Sequence, residues 1–255
     1  MKIVSCNVNG IRAASKKGLL DFISAEKPDI LCLQEIKANR EDIPNELQNI
    51  DGYQLVTNCA NKKGYSGVAV YTKSAPLSIN EKLGLERFDY EGRILQLEYS
   101  GFVLLNMYFP HGGRNKENLK YKLDVYDKFF ERLDELKNKN IIIIGDFNIA
   151  HTEQDLARPK QNKDNIMFTP IERQQIDKLL SHGFVDTFRI FNKENGNYTW
   201  WSYAFNARTR NMGWRIDYCF VSSSMKAKVQ SAKIFVNTPQ FSDHCGVGVE
   251  LGLAN

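Results

Sequence analysis

The run Ile141-Ile142-Ile143-Ile144 constrains this chain more than any other stretch. Four consecutive β-branched apolar residues leave no polar face for water. A strand there is buried on both sides, and its sheet must be covered by further layers. Short apolar runs of the same kind recur at residues 2–8, 30–33, 68–71, 94–99, 102–109, 216–221, 234–236 and 246–251. Helical patterns lie between them. Residues 16–27 place Leu19, Leu20 and Ile23 on one face before Pro28 stops them. Residues 116–137 carry Leu119, Leu123, Tyr126, Phe130 and Leu133 as one stripe. Thr169-Pro170-Ile171-Glu172 predicts a capped helix start with Pro in the first helical position, and Gly183 a stop. Strands and helices alternate with no Pro- or Ser-rich linker and no exact repeat, so the expected fold class is α/β with two packed sheets.

Composition narrows the function. Of 255 residues, 42% are hydrophobic and 25% charged, which excludes disordered and fibrous classes. No apolar run approaches the ~18–20 residues that span a bilayer, and no secretory leader is visible, so the expected location is cytoplasmic. Five cysteines make an odd number, and Cys6, Cys32 and Cys219 lie inside apolar runs. They are expected to be reduced core thiols. The net charge of +4 permits an anionic partner without demanding one.

Many strands end in polar residues that a core does not need: Asn7, Gln34-Glu35, Tyr108, Asp146, Asp217 and Ser242-Asp243-His244. Strand ends are where α/β sheets place ligands. In Gly145-Asp146-Phe147-Asn148 the alternation of extended chain turns Asp146 and Asn148 one way and Phe147 the other. A carboxylate beside an amide can hold and deprotonate a water; an Asx turn after a strand would use the same residues. Gly145 is expected to let the backbone approach a ligand. Glu35 and Asn7 offer hard oxygen ligands, suited to Mg²⁺ or Mn²⁺ rather than zinc. Asp243 and His244 are neighbours that point apart, so the carboxylate that orients His244 is expected to be Asp217. His151 and His182 read as structural, while His111, after Pro110, sits in a loop. There is no GxSxG, P-loop or GxGxxG, which leaves metal-assisted attack by water.

Residues 198–215 contain all three Trp, three Arg and no acid. Lys62-Lys63, Arg114, Lys116, Arg158, Lys160 and Lys163 add positive charge in other loops, with Asn162 and Asn165 among them. Cations mixed with aromatics suit phosphate contacts and stacking. Part of the aromatic stretch is expected to anchor the fold instead.

Together these motifs resemble the exonuclease III family of apurinic/apyrimidinic (AP) endonucleases, within the DNase I-like endonuclease/exonuclease/phosphatase superfamily. The matching stretches run in order: Ser5-Cys6-Asn7-Val8-Asn9-Gly10-Ile11-Arg12, Leu33-Gln34-Glu35-Ile36-Lys37, Gly64-Tyr65-Ser66-Gly67-Val68, Glu91-Gly92-Arg93, Tyr108-Phe109-Pro110, Gly145-Asp146-Phe147-Asn148, Asn162-Lys163-Asp164-Asn165, Phe168-Thr169-Pro170, Gly213-Trp214-Arg215-Ile216-Asp217-Tyr218 and Ser242-Asp243-His244. The resemblance implies a four-layered α/β sandwich, two packed mixed β-sheets flanked by helices, as one domain over 1–255. It implies that Glu35 and Asn7 bind Mg²⁺ (or Mn²⁺), with Asp243 contributing. Asp146 would activate water, Asn148 hold it, His244 oriented by Asp217 contact the phosphate, and Tyr108 stabilise the leaving group. Asn9 and Lys37 would lie just behind the metal ligands. Tyr65, Arg114, Asn162 and Asn165 would grip the DNA backbone, and Trp200 and Trp214 would wall the pocket for an abasic sugar. Three positions depart from the family pattern: His111 where relatives often carry Asn or Gln, Asn9 where some carry Asp, and Trp200 with Trp201 beside it. The implied partner is double-stranded DNA with abasic sites or blocked 3′ ends, met by a monomer. A phosphoinositide or sugar-phosphate phosphatase of the same superfamily, and a catalytically dead nucleic-acid binder, are the alternatives.

Overall fold

The computed structural model describes residues 1–236 and 240–253. Among these residues twelve strands are formed: β1 (Lys2–Asn7), β2 (Ile30–Gln34), β3 (Gln54–Asn58), β4 (Val68–Thr72), β5 (Ser78–Asn80), β6 (Ile94–Glu98), β7 (Val103–Tyr108), β8 (Ile141–Asp146), β9 (Phe184–Asp186), β10 (Asp217–Ser222), β11 (Val229–Phe235) and β12 (Gly246–Leu251). They make two six-stranded sheets, ordered β11-β12-β1-β2-β4-β3 and β5-β6-β7-β8-β10-β9. In each sheet the central pair, β1–β2 or β7–β8, is parallel and the remaining pairs are antiparallel.

Three large apolar clusters define the layers. One contains Ile3, Cys32, Val70, Leu104, Ile142, Ile144 and Val249, drawn from both sheets, and fills the space between them. A second packs Val103, Leu105, Ile141 and Ile143 against Val125, Phe129 and Leu133 of the helix Leu119–Glu135 and Ile176 and Leu179 of the helix Pro170–Ser181. The third packs Val4, Cys6, Leu31 and Leu33 against Leu19, Phe22 and Ile23 of the helix Leu19–Glu26. Three apolar interfaces separate four layers, as the Ile141–Ile144 run requires: Ile142 and Ile144 face the opposite sheet, Ile141 and Ile143 the helices.

The alternation along each strand also positions the site. On the face between the sheets, β1 reads Ile3, Ser5, Asn7; β2 reads Ile30, Cys32, Gln34; β7 reads Leu104, Asn106, Tyr108; β8 reads Ile142, Ile144, Asp146. The inner layer is therefore apolar at one end and polar at the other. Gln34 Nε2 donates to Asn106 Oδ1 at 2.7 Å and to Ser5 Oγ at 2.9 Å, which joins the sheets where the polar half begins.

Some expected elements differ in extent. Residues 16–27 hold a helix only over Leu19–Glu26, because Gly18 takes the left-handed conformation (φ 98°) and separates it from the turn Ile11–Ser15. The capping box at Thr169 forms as expected. The short strands β3, β5 and β9 carry no clear strand signal in the sequence. Their three to five residues contain few β-branched positions, and pairing with longer neighbours defines them.

Candidate active site

The polar ends of the inner strands converge. Tyr108, Asp146 and Asp217 are register partners on three adjacent strands, Tyr108 opposite Asp146 and Asp146 opposite Asp217. They form one row on one face. Asn7 arrives from the other sheet, and its side-chain Nδ2 donates to both Glu35 Oε1 and Asp146 Oδ2 at 2.9 Å. Its Oδ1 accepts the Asn9 backbone N–H at 3.0 Å. His244 Nδ1 meets Asp217 Oδ2 at 2.9 Å, the pairing expected from strand alternation. Carboxylate and ring atoms of Asp146, Asp217 and His244 lie within 4.8 Å of one another, all three buried.

Local conformation is specialised here. Asn9, Glu35, Lys37 and Asn148 all hold left-handed backbone, with φ between 45° and 52°. Non-glycine residues keep that conformation only where their surroundings over-determine it. The Asn148 N–H donates to Asp146 Oδ1 at 2.9 Å, so the Asx turn and the carboxylate–amide pair coexist. Asn148 Nδ2 donates to the Phe109 carbonyl at 2.9 Å and to Asp146 Oδ2 at 3.3 Å. Phe147 points the other way, into the outer core with Phe109, Tyr218 and Phe220. Gly145 serves a different purpose from the one expected. A Cβ built there would lie 2.0 Å from the Met107 carbonyl oxygen, so the glycine admits the neighbouring strand, not a ligand.

The electrostatics are unbalanced. Burial raises the Asp146 carboxyl, the neighbouring Asp217 raises it further, and it reaches about 7. Burial opposes the charged form of His244, but Asp217 outweighs it and lifts the imidazole to about 10. Glu35 is also buried, which would raise it, yet Lys37 at 2.7 Å holds it below the usual carboxylate range. Tyr108 is pushed well up by burial and by Glu35, so its phenol stays protonated. The Arg93 guanidinium stacks 4.4 Å from the Tyr108 ring centroid and donates through Nη2 to the Tyr65 hydroxyl at 3.0 Å. Arg93, which has no evident role from its motif Glu91-Gly92-Arg93 alone, ties Tyr65 to the Tyr108 phenol.

The residues suit a divalent cation. Donors are carboxylate and amide oxygens with no thiol, and Asp217 Oδ1 is buried with no hydrogen-bond partner. Like-charged carboxylates crowded enough to lift one to about 7 would be relieved by a cation. Within the Asp146–Asp217–His244 group an imidazole kept charged cannot ligate a metal, which leaves the carboxylate oxygens there, those of Glu35 and Asn7 Oδ1 as the atoms able to hold one. Both Asp243 oxygens already have donors, Oδ1 from Asn9 Nδ2 at 2.9 Å and Oδ2 from the Trp200 indole N–H at 3.0 Å. The Glu35 oxygens and Asn7 Oδ1 do too, from Asn7 Nδ2, Lys37 Nζ and the Asn9 N–H.

Part of the basic-aromatic segment anchors the fold, as expected. Trp201 is buried with Tyr198, Ala207 and Cys245. Trp200 and Trp214 are half-buried, paired through backbone bonds in both directions at 2.9 Å, and Trp200 also bridges to His244. Both rings pack on the small core around Phe168, and the Trp200 indole reaches Asp243. Arg114 is exposed on its loop. Asn162 Nδ2 donates to the Ala157 and Arg158 carbonyls at 3.0 Å, and Asn165 Nδ2 to Asn162 Oδ1 at 2.8 Å. Their amide groups brace the loop that carries them. His151 and His182 are structural, bonded to Asp177 and to the Lys178 carbonyl, and His111 is exposed.

A sandwich of this topology with acids, an imidazole and amides at one mouth defines a class. The chain belongs to the endonuclease/exonuclease/phosphatase family, whose model matches residues 4–244. Within it, the likeness is to exonuclease III-type AP endonucleases. The exodeoxyribonuclease of Bacillus subtilis is 41% identical over 250 residues, 97% of this chain and 98% of its own length. The zebrafish (Danio rerio) DNA repair nuclease APEX1 is 39% identical over 99% of this chain and 83% of its own length. Recombination repair protein 1 of Drosophila melanogaster is 41% identical, but this chain spans only 37% of its length. Among solved structures, an AP endonuclease from Archaeoglobus fulgidus superposes with a TM-score of 0.90 at 26% identity, covering 99% of this chain and all of its own. The 3′ phosphatase NExo from Neisseria, bound to a product DNA hairpin, reaches 0.91 at 28% identity over 98% of this chain and 99% of its own. No helix among the described residues is long and apolar enough to cross a membrane.

Proposed function

We propose that this chain, as a single domain, is a DNA-repair AP endonuclease. It hydrolyses the phosphodiester 5′ to an abasic site in duplex DNA by metal-assisted water attack, and it also removes nucleotides and blocking groups from 3′ ends. One observation carries the reading: Asp146 shares the Asn7 amide with Glu35 and stands beside the Asp217–His244 pair, so a buried base, hard oxygen ligands and an oriented imidazole meet at one point. Mg²⁺ or Mn²⁺, held by Glu35 and Asn7, would supply neutralisation of the phosphate's charge. Asp146 takes the proton of a water that the Asn148 side chain orients. His244, kept charged by Asp217, donates to a phosphate oxygen as negative charge builds. Tyr108, a neutral phenol, donates to the departing oxygen. Trp200 and Trp214 wall the sugar pocket, and Tyr65, Arg114, Asn162 and Asn165 hold the flanking backbone. Extruding an abasic sugar breaks no base stack, which favours lesions over intact DNA.

The test is a gel assay with an abasic duplex, a uracil-containing duplex and an undamaged recessed-end duplex, each with chelator, Mg²⁺ or Mn²⁺. The expected result is metal-dependent incision of the abasic duplex, restored after chelation by Mg²⁺. Cleavage that resists chelator removes the role of Glu35. Turnover of a soluble inositol phosphate in place of DNA supports the phosphatase alternative, and binding without any turnover supports the inactive binder.

A further inference from the structure

The helix Leu119–Glu135 carries a charge where its apolar stripe should continue. Lys122 is fully buried and pairs with Glu172, also fully buried, at 2.6 Å. Burying an ion pair is unfavourable unless each donor and acceptor is matched, and this pair is matched to several segments. Lys122 Nζ donates to Glu172 Oε1, to the Asn148 carbonyl at 2.7 Å and to the His111 carbonyl at 3.3 Å. Glu172 Oε1 also accepts the Met167 N–H at 3.0 Å, while its Oε2 accepts the Thr169 N–H at 3.1 Å and the Thr169 hydroxyl at 2.6 Å.

The helix cap at Thr169 needs Glu172 but has no need of Lys122. A methionine has nearly the same length and volume without the charge. What the ammonium adds is a grip on Asn148, whose left-handed backbone (φ 52°) must be imposed from outside. Asn148 is then held through its N–H by Asp146, through its side chain by Phe109 and through its carbonyl by Lys122. The same ammonium fixes the loop that presents His111.

We propose that Lys122, compensated by Glu172, is a positioning residue that fixes the Asp146–Asn148 turn and the His111 loop relative to each other for catalysis. This rests on the reading of Asp146 and Asn148 as the water-holding pair.

The experiment compares wild type, Lys122→Met and the double variant Lys122→Met/Glu172→Gln, which removes both charges and keeps an acceptor for the Thr169 cap. Steady-state kinetics on an abasic duplex with Mg²⁺ are read beside thermal melting and DNA affinity in chelator. Both variants are expected to lose about 10- to 100-fold in kcat, the scale of a sub-ångström to ångström misplacement of reacting groups. KM and DNA affinity stay near wild type, and the double variant melts close to wild type. Retention of kcat in both overturns the inference. So does recovery of kcat in the double variant, which would trace the loss to an unpaired Glu172. Failure of both to fold would confine the pair to the core and overturn it as well. A wild type that cuts no abasic duplex removes the reading of the site itself, whereas an active wild type with fully active variants removes the positioning role alone.

Discussion

Two clusters of buried charge lie two residues apart on the segment Arg215-Ile216-Asp217, and they are built on opposite plans. Around Arg215, charge is matched. Its Nε meets Asp155 at 2.6 Å and its Nη1 meets Asp186 at 2.8 Å, while Arg189 meets Asp155 at 2.6 Å. Burial would raise the Asp155 carboxyl, yet the two guanidiniums hold it well below the usual range. Around Asp217, charge is mismatched. Among the described residues, Lys37 and His244 are the cations in ion-pair contact with Glu35 and Asp217, Asp146 has none and stands at about 7, and one Asp217 oxygen, like Nη2 of Arg215, has no hydrogen-bond partner. The first arrangement closes the fold beneath the site. The second keeps a deficit of positive charge that a cation can fill, and it is the one that can do chemistry.

Three experiments test this contrast. The largest effect is expected from Asp146→Asn, which should lower kcat by about 10²- to 10⁴-fold, the range of a lost general base, with DNA affinity retained. The same variant should be more stable than wild type at pH 8 in chelator. The folded pKa of Asp146 lies above its unfolded value, so wild type loses stability as pH rises toward and through about 7. The Asn variant has no such loss, and its advantage should vanish as pH is lowered to about 4, near the unfolded value of an aspartate. Equal melting curves at both pH values would contradict the mismatch. Next, Arg215→Met should cost about 3–5 kcal/mol, because it removes the cation paired with Asp186 and leaves buried Asp155 with Arg189 alone. The pH dependence runs the opposite way. The depressed Asp155 carboxyl stabilises wild type above the ordinary carboxylate range and ceases to as pH falls, so melting of wild type and variant should converge in acid. A gap that widens in acid would show that the matched cluster is not what Arg215 maintains. The smallest effect concerns the rim. If the basic loops grip four phosphates, log affinity should fall against log salt with a slope of about −4, and Arg114→Ala should reduce that slope by about 1. A flat response would remove those loops from the DNA face.

Much of the site was legible because it obeys the period of two. Asn7, Glu35, Tyr108, Asp146, Asp217 and His244 each stand at the end of an apolar run or beside one, and such ends gather when strands gather. Alternation also predicted that Asp217, and not the adjacent Asp243, would orient His244. Residues whose roles come from tertiary neighbours were not legible. Lys122 sits in a helical stripe that Leu123 was expected to share, but Leu123 is only half-buried while Lys122 is buried completely. Arg215 read as part of a basic surface, yet it is 1% exposed and belongs to the core. Gly145 was assigned to a ligand because the crowding carbonyl of Met107 lies on another strand. Asn162 and Asn165 had the right composition for phosphate contacts, but no sequence feature reveals that they brace their own loop.

The clasp made by Asn7 has a consequence for the life of the chain. One side-chain amide joins Glu35 to Asp146, a partner 139 positions away and in the opposite sheet. On the proposed mechanism, neither half of the polypeptide holds a working centre alone, and a nascent chain released before its C-terminal third still lacks Asp217 and His244. A partly synthesised or partly melted molecule therefore carries no competent scissors, and breakage of DNA is confined to copies that have completed assembly.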